Sequence, residues 1–405
     1  MDLVVTEWLT AGVRWLHVIA GIAWIGTSFY FIHLDLSLRR RDGLPDGVQG
    51  EAYQVHGGGF YHMVKYMVAP SHLPADLAWF KWEAYMTWLS GTALLVLVYY
   101  VGAELYLIDR TVLDIEAWQA IALSAGTLLV AWLVYEALCR SPLGSHEGAL
   151  AAVGYVFLVA LTWAFTQMFS GRGAFIQIGA LIGTIMVANV WAVIMPNQRR
   201  IVAALLAGEK PDPRLGAQGK QRSVHNNYLT LPVVFLMLAN HYPLFYATRY
   251  NWLIVAVVLA LGPLIRHFFN ERHAGRPSPW WVWGATAVGL LAVAWLSAAG
   301  PRERQAMIPV FPPAFAEVET VIASRCAMCH AAQPTWDIVA SAPRGVRLDT
   351  PDDIRRHARQ IAIAAARSDA MPPGNVSAMT REERAMLVAW FAAGAPLAGE
   401  TTHAR

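Results

Sequence analysis

Five residues near the C-terminus have the types and spacing for redox chemistry. In Cys326-Ala-Met-Cys329-His330 two thiols stand one helical turn apart and an imidazole follows directly. That order suits covalent attachment of a c-type haem: each thiol forms a thioether to a vinyl group, and the histidine turns onto the iron. The rival readings need residues that the region lacks. Structural zinc would want a second ligand pair where only His357 and His403 remain, a thioredoxin-type pair would want a βαβ setting, and a disulfide would give His330 no part. A haem iron takes a second axial ligand, and Met371 in Asp-Ala-Met371-Pro372-Pro373-Gly374 is the best-placed methionine, because Met328, Met379 and Met386 fall in or beside expected helices. Thioether ligation raises the reduction potential, so such a centre accepts electrons readily.

The elements that carry these residues divide the chain into unlike parts. Only 15% of the 405 residues are charged and 56% are hydrophobic, too apolar for a soluble chain of this length. Residues 301–405 hold 12 of the 31 Lys and Arg and 11 of the 28 Asp and Glu. The first 300 residues instead show eight apolar runs long enough to cross a bilayer, near 8–34, 84–101, 117–138, 148–169, 173–196, 226–248, 250–269 and 280–299. A ninth stretch, 60–82, is interrupted by His62, Lys65, Pro70, His72, Pro74 and Asp76 and reads as interfacial or re-entrant. The expected fold is therefore all-α: a polytopic bundle of about eight transmembrane helices over 1–300, a Pro-rich linker at 301–314, a small all-α domain at 315–397 and a tail at 398–405.

Three cysteines and 17 tryptophans exclude disulfide-rich and disordered classes, and the net charge of +3 gives no reason to expect nucleic acid. Its distribution is more telling. With the N-terminus outside, fifteen basic residues flank the inner helix ends and three, Arg110, Arg172 and Arg249, the outer ones, as the positive-inside rule requires. Eight crossings return the C-terminal domain to the outer side, the periplasm of a Gram-negative host. Asp2 and Glu7 stand where a cleaved leader would be basic, so none is expected. In the C-terminal part Thr350-Pro351-Asp352-Asp353 and Thr380-Arg-Glu-Glu383 are helix starts, and Gly394 is a stop.

Polar groups at membrane depth are functional candidates, because burying them is costly. His17 falls roughly 14 Å and His241 roughly 10 Å below the outer surface at 1.5 Å per residue, where they could hold a b-type haem or a metal, or form a structural pair. His33, His225 and His267 fall near the inner face, with His56, His62 and His72 in loops, and each alone reads as interfacial or capping. Three segments are unusually polar: His56-Gly-Gly-Gly59, Asn189 to Gln198, and Arg222-Ser-Val-His225-Asn226-Asn227-Tyr228. A planar anionic substrate would use Arg for charge, Asn for paired hydrogen bonds and an aromatic for stacking; helix-to-helix glue is the alternative. Arg222, His225, Asn226 and Asn189 are the candidate catalytic residues. Cys139 reads as a packing residue.

Two resemblances follow from these residues. Residues 315–397, with Cys326-x-x-Cys329-His330, the Met371-Pro-Pro loop and the closing helix through Trp390 and Gly394, resemble a class I cytochrome c, which implies axial roles for His330 and Met371. The whole chain resembles the bacterial membrane-bound urate oxidase (urate hydroxylase) family, through Trp24-Ile-Gly26 to Asp35, Ala188-Asn-Val-Trp191, and Ser223 to Pro232 with Asn240-His241-Tyr242-Pro243. That resemblance implies oxidation of urate to 5-hydroxyisourate in the inner membrane, with electrons leaving through the c-type haem to a soluble cytochrome c or terminal oxidase. Urate releases two electrons and one haem takes one at a time, which is why a second centre at His17 and His241 is of interest. The alternative function is a non-catalytic membrane tether for an electron-transferring cytochrome c.

Overall fold

The computed structural model describes residues 3–68, 74, 76–300, 309, 312–336 and 339–398. His72, His403 and most of the expected linker and tail lie outside the described residues.

Eight helical rods stand at the eight apolar runs, although the sixth, expected over 226–248, begins at residue 213 and ends at residue 239. They are α1 (Leu3–Ser37), α2 (Trp82–Leu94, prolonged by a π-helical turn Leu95–Tyr100), α4 (Ala117–Arg140), α5 (Glu147–Thr166), α6 (Gly171–Ala188), α8 (Pro213–Ala239), α10 (Asn251–His273) and α11 (Trp281–Ser297). Short α3 (Ala103–Tyr106) and α9 (Pro243–Tyr246) close one end, and α6 runs through a π turn, Asn189–Ile194, into α7 (Met195–Leu206). Among the described residues five rods are long and apolar enough to span a bilayer by length and composition: Val4–Ser37, Ala117–Arg140, Glu147–Thr166, Gly171–Leu206 and Asn251–His273. Two of the others fall short for separate reasons: α11 has 17 residues, and α8 carries Arg222, His225, Asn226 and Asn227 within its last 18 residues.

The central rod is α6. Apart from Arg172, Gln177 and Thr184 its side chains are apolar, and Phe175, Ile178, Leu181 and Ile182 are fully enclosed with Phe165, Phe169 and Leu236. The α8 and α10 backbones meet where any β-carbon on Gly262 would overlap the Pro232 ring. Outward faces are the inverse: Trp8, Trp15, Ile22, Leu291 and Trp295 are exposed, the apolar surface a bilayer covers.

The stretch read as interfacial or re-entrant from residue 60 is instead one arm of a hairpin, β1 (Val48–His56) paired antiparallel with β2 (Gly59–Tyr66). His56-Gly-Gly-Gly59 is its turn: Gly57 and Gly58 both have positive φ, the two-residue connection that suits strand twist. His62 and Arg41 close on buried Glu51 at 2.6 and 3.5 Å, a pairing that sequence spacing could not show.

The C-terminal part comprises α12 (Phe315–Arg325), α13 (Ala327–His330), α14 (Pro351–Arg356), α15 (Ala358–Ile361) and α16 (Arg381–Ala392). Its starts fall as expected: Thr350 Oγ1 accepts from Asp353 N, and Thr380 and Glu383 form a capping box. A separate core of Phe315, Val318, Ile322, Leu348, Leu387, Val388 and Trp390 holds it together. It rests on the end of the bundle that carries α3. Ala370 joins the buried cluster of Leu107 and Ile108, and Gly374, at φ 56°, approaches the Ile108 carbonyl so closely that a β-carbon would overlap it.

Candidate functional site

The four candidate catalytic residues meet in one buried network. On α8, Arg222, His225 and Asn226 are spaced i, i+3, i+4 and so share a face. Asn189 opens the π turn after α6, and such turns swing a side chain out of the regular helical register. Its Nδ2 donates to Asn226 Oδ1 at 2.9 Å and to the Tyr135 hydroxyl at 3.0 Å; Asn226 Nδ2 donates to the Met186 carbonyl. Tyr135 OH lies 2.7 Å from His225 Nδ1. Arg222 sits over the Tyr135 ring, 4.9 Å from its centre, and its Nη2 is 2.9 Å from Glu136 Oε2.

Tyr135 and Glu136 of α4 were missed by the sequence reading. Their signal was a carboxylate in an otherwise apolar run. The network is not closed: Asn189 Oδ1 and Arg222 Nη1 are buried without a hydrogen-bond partner. A buried polar atom left unpaired is costly, so both mark positions where a ligand or water would be held.

Asn227, the next residue of α8, faces a different group. Its Oδ1 accepts from Asn270 Nδ2 at 3.0 Å and from Arg266 Nε at 3.4 Å, while Arg266 Nη2 donates to Asn270 Oδ1 at 3.1 Å.

His17 and His241 are not joined: among the described residues they share no hydrogen bond or ring contact. His17 Nδ1 lies 2.9 Å from the Thr87 carbonyl and 3.1 Å from Ser90 Oγ, engaging α2. Gly91 makes room, since a β-carbon there would lie 2.9 Å from the imidazole. His241 is exposed in the turn after α8.

In the C-terminal part Cys326 and Cys329 are free thiols one turn apart, with His330 N donating to the Cys326 carbonyl at 2.9 Å. Burial pushes the Cys326 thiol up to about 12 and raises Cys329 as well. His330 Nδ1 is 2.8 Å from the Val346 carbonyl and so donates to it, which leaves Nε2 as the free nitrogen. Cys326 and Met371 border the same apolar core. Thiols, imidazole and thioether thus fit a covalently held haem.

A further residue secures the thioether loop. Arg384 is buried, and its Nη1 donates to the carbonyls of Met371 (2.8 Å), Ser368 (3.2 Å) and Ala365, while Nη2 reaches Asn375 Oδ1 at 3.3 Å. It was unremarkable in sequence because nothing local marks a surface-typed residue for burial. Between this loop and the bundle lies a cavity of about 120 Å³, bordered by Asp109, Arg172 and Asn251 on one side and Asp369, Asn375 and Arg384 on the other.

Comparison with known proteins decides the family. The model of the urate oxidase N-terminal family matches residues 3–297, from the first rod to the last. The chain belongs to the urate oxidase N-terminal family. Membership points to an oxidoreductase of urate chemistry, and among the described residues five helices are long and apolar enough to cross a membrane. The match covers the Tyr135 network and ends before Cys326. No curated protein and no solved structure matches the chain.

Proposed function

We propose that this chain oxidises urate to 5-hydroxyisourate within its membrane part and passes the electrons to a c-type haem held by residues 315–397. The observation that carries the reading is the buried network of Tyr135, Asn189, Arg222, His225 and Asn226 inside the part that belongs to the urate oxidase family. Overall, urate and water give 5-hydroxyisourate, two protons and two electrons.

The network's own groups suit the proton work. With Tyr135 donating to His225 Nδ1, Nε2 carries the proton; with Nδ1 donating instead, Nε2 offers a lone pair to a urate N–H. Asn189 fixes the phenol by donating to it. Glu136 holds Arg222 against the Tyr135 ring, orienting the guanidinium while neutralising most of its charge.

Cys326 and Cys329 would hold the haem covalently, and His330 and Met371 would ligate its iron. Bound there, it supplies a one-electron acceptor. Arg384 keeps the Met371 carbonyl fixed, and Gly374 seats the same loop on Ile108. We place the protein in the bacterial inner membrane, with N-terminus and C-terminal domain on the periplasmic side, and a soluble cytochrome c or terminal oxidase as acceptor.

The test is anaerobic addition of urate to purified protein, following urate absorbance and the reduced haem band together. Both are expected to change, with two haems reduced per urate consumed. Haem that is assembled but stays oxidised would favour a non-catalytic tether.

A further inference from the structure

Arg266 is a buried cation without a counter-ion. It lies two turns before the end of α10, is 6% exposed, and among the described residues no carboxylate stands within ion-pair distance. Arg222, the other buried guanidinium of the membrane part, has Glu136 at 2.9 Å. Arg266 has only the amide oxygens of Asn227 and Asn270, and the Phe29 ring of α1, whose centre is 3.8 Å from its central carbon. Uncompensated charge in a low-dielectric setting is among the costliest arrangements in a protein.

Two donors beside it are idle. Arg266 uses Nε and Nη2; its Nη1 makes no hydrogen bond among the described residues, though it is not sealed from solvent as Asn227 Nδ2 is. Asn227 is completely buried, its oxygen accepts from both neighbours, and its Nδ2 has no partner. Because Asn227 Oδ1 receives Arg266 Nε, the two idle donors lie on adjoining groups. One turn beyond Phe29 and two turns beyond Arg266, the His33 and His273 rings meet edge to face at 4.4 Å, each with Nδ1 unpartnered. A cation without a counter-charge beside an unpaired amide donor has the chemistry that an anion would complete.

We infer that Arg266 and Asn227, held in place by Asn270, form the anion-binding site of the membrane part, and that the charge of a urate-class substrate is met by Arg266 rather than by Arg222. The inference rests on the proposed urate chemistry and adds the residue that recognises the substrate's charge. Arg222, committed to Glu136, retains the orienting role.

Equilibrium binding of urate to full-length protein in lipid nanodiscs tests it, on wild type, Arg266→Gln, Arg266→Lys and Arg222→Gln. Wild type is expected to bind, Arg266→Gln to weaken binding at least about tenfold, and Arg266→Lys to weaken it by about threefold or more, because the fork is lost while the charge remains. Arg222→Gln should alter affinity less than Arg266→Gln does. Should Arg266→Gln fail to fold, Arg266→Lys decides. Wild-type affinity in the folded Arg266 variants, or a larger loss in Arg222→Gln, overturns the assignment and leaves the urate reading intact. Absence of urate binding by wild type overturns that reading itself.

Discussion

The two parts of the molecule bury arginine in opposite ways. In the C-terminal part Arg384 is surrounded by the carbonyls of Met371, Ser368 and Ala365 and the Asn375 amide oxygen, so its donors are consumed in fixing a loop. In the membrane part Arg222 Nη1 is buried and unpaired, Arg266 has no carboxylate partner among the described residues, and Asn189 Oδ1 and Asn227 Nδ2 are buried without a partner. A satisfied buried cation builds structure. One left incomplete in an apolar bundle is costly to keep, and its retention fits a binding role. Surfaces differ in the same sense: tryptophan and leucine cover the bundle, while in the C-terminal part Phe315 and Trp390 are buried and Trp336 and Phe391 half-buried.

The sharpest test of this division removes the thiols. Cys326→Ala with Cys329→Ala is expected to abolish covalent haem completely, read as loss of the haem stain on a denaturing gel, while the membrane part still folds. Persistence of stained protein would disprove the attachment site.

On the membrane side, His225→Ala should lower urate oxidation about 100-fold or more, the scale of a lost general base, with the haem spectrum unchanged. Steady-state rates and a spectrum on the same sample separate the two parts; a rate within a few-fold of wild type would remove His225 from the chemistry.

Arg384→Ala should destabilise the C-terminal part by about 3 kcal/mol, because several buried acceptors lose a charged donor together. The loosened loop should cost the methionine-to-iron charge-transfer band while leaving the thioether links, so the band and the gel stain are compared. An unaltered band would show that Arg384 does not position Met371.

Gly374→Ala probes the contact between the parts. Its left-handed backbone and the overlap with the Ile108 carbonyl should slow urate-dependent haem reduction about tenfold, equivalent to about 1.4 kcal/mol of lost docking. Reduction by dithionite should be unchanged. The smallest effect is expected at His17→Ala: loss of its hydrogen bonding to α2 costs about 1 kcal/mol, with the haem count per chain by pyridine haemochrome unaltered. A falling count would restore the idea of a second centre.

Much of this was legible in the chain itself. Bilayer-length apolar runs are a one-dimensional property, so the eight rods could be placed without knowing their neighbours, and helix starts such as Thr380 to Glu383 depend on contacts three residues apart. The spacing of Cys326, Cys329 and His330 is likewise local. The hairpin at 48–66 was obscured because its alternation is broken by histidines and glycines, and its pairing lies across a turn.

What no local pattern carried was which polar groups meet. Asn226 and Asn227 are adjacent in sequence, yet α8 turns about 100° per residue, so one joins Asn189 and the other Asn270 and Arg266. Tyr135 became a partner of His225 only when α4 came to lie near α8, and His17 turned to α2 and not to His241. Sequence determined the segments, their order and the residue types able to do chemistry. Tertiary structure alone decided their pairings and which buried charges remain incomplete, because both depend on packing between distant helices.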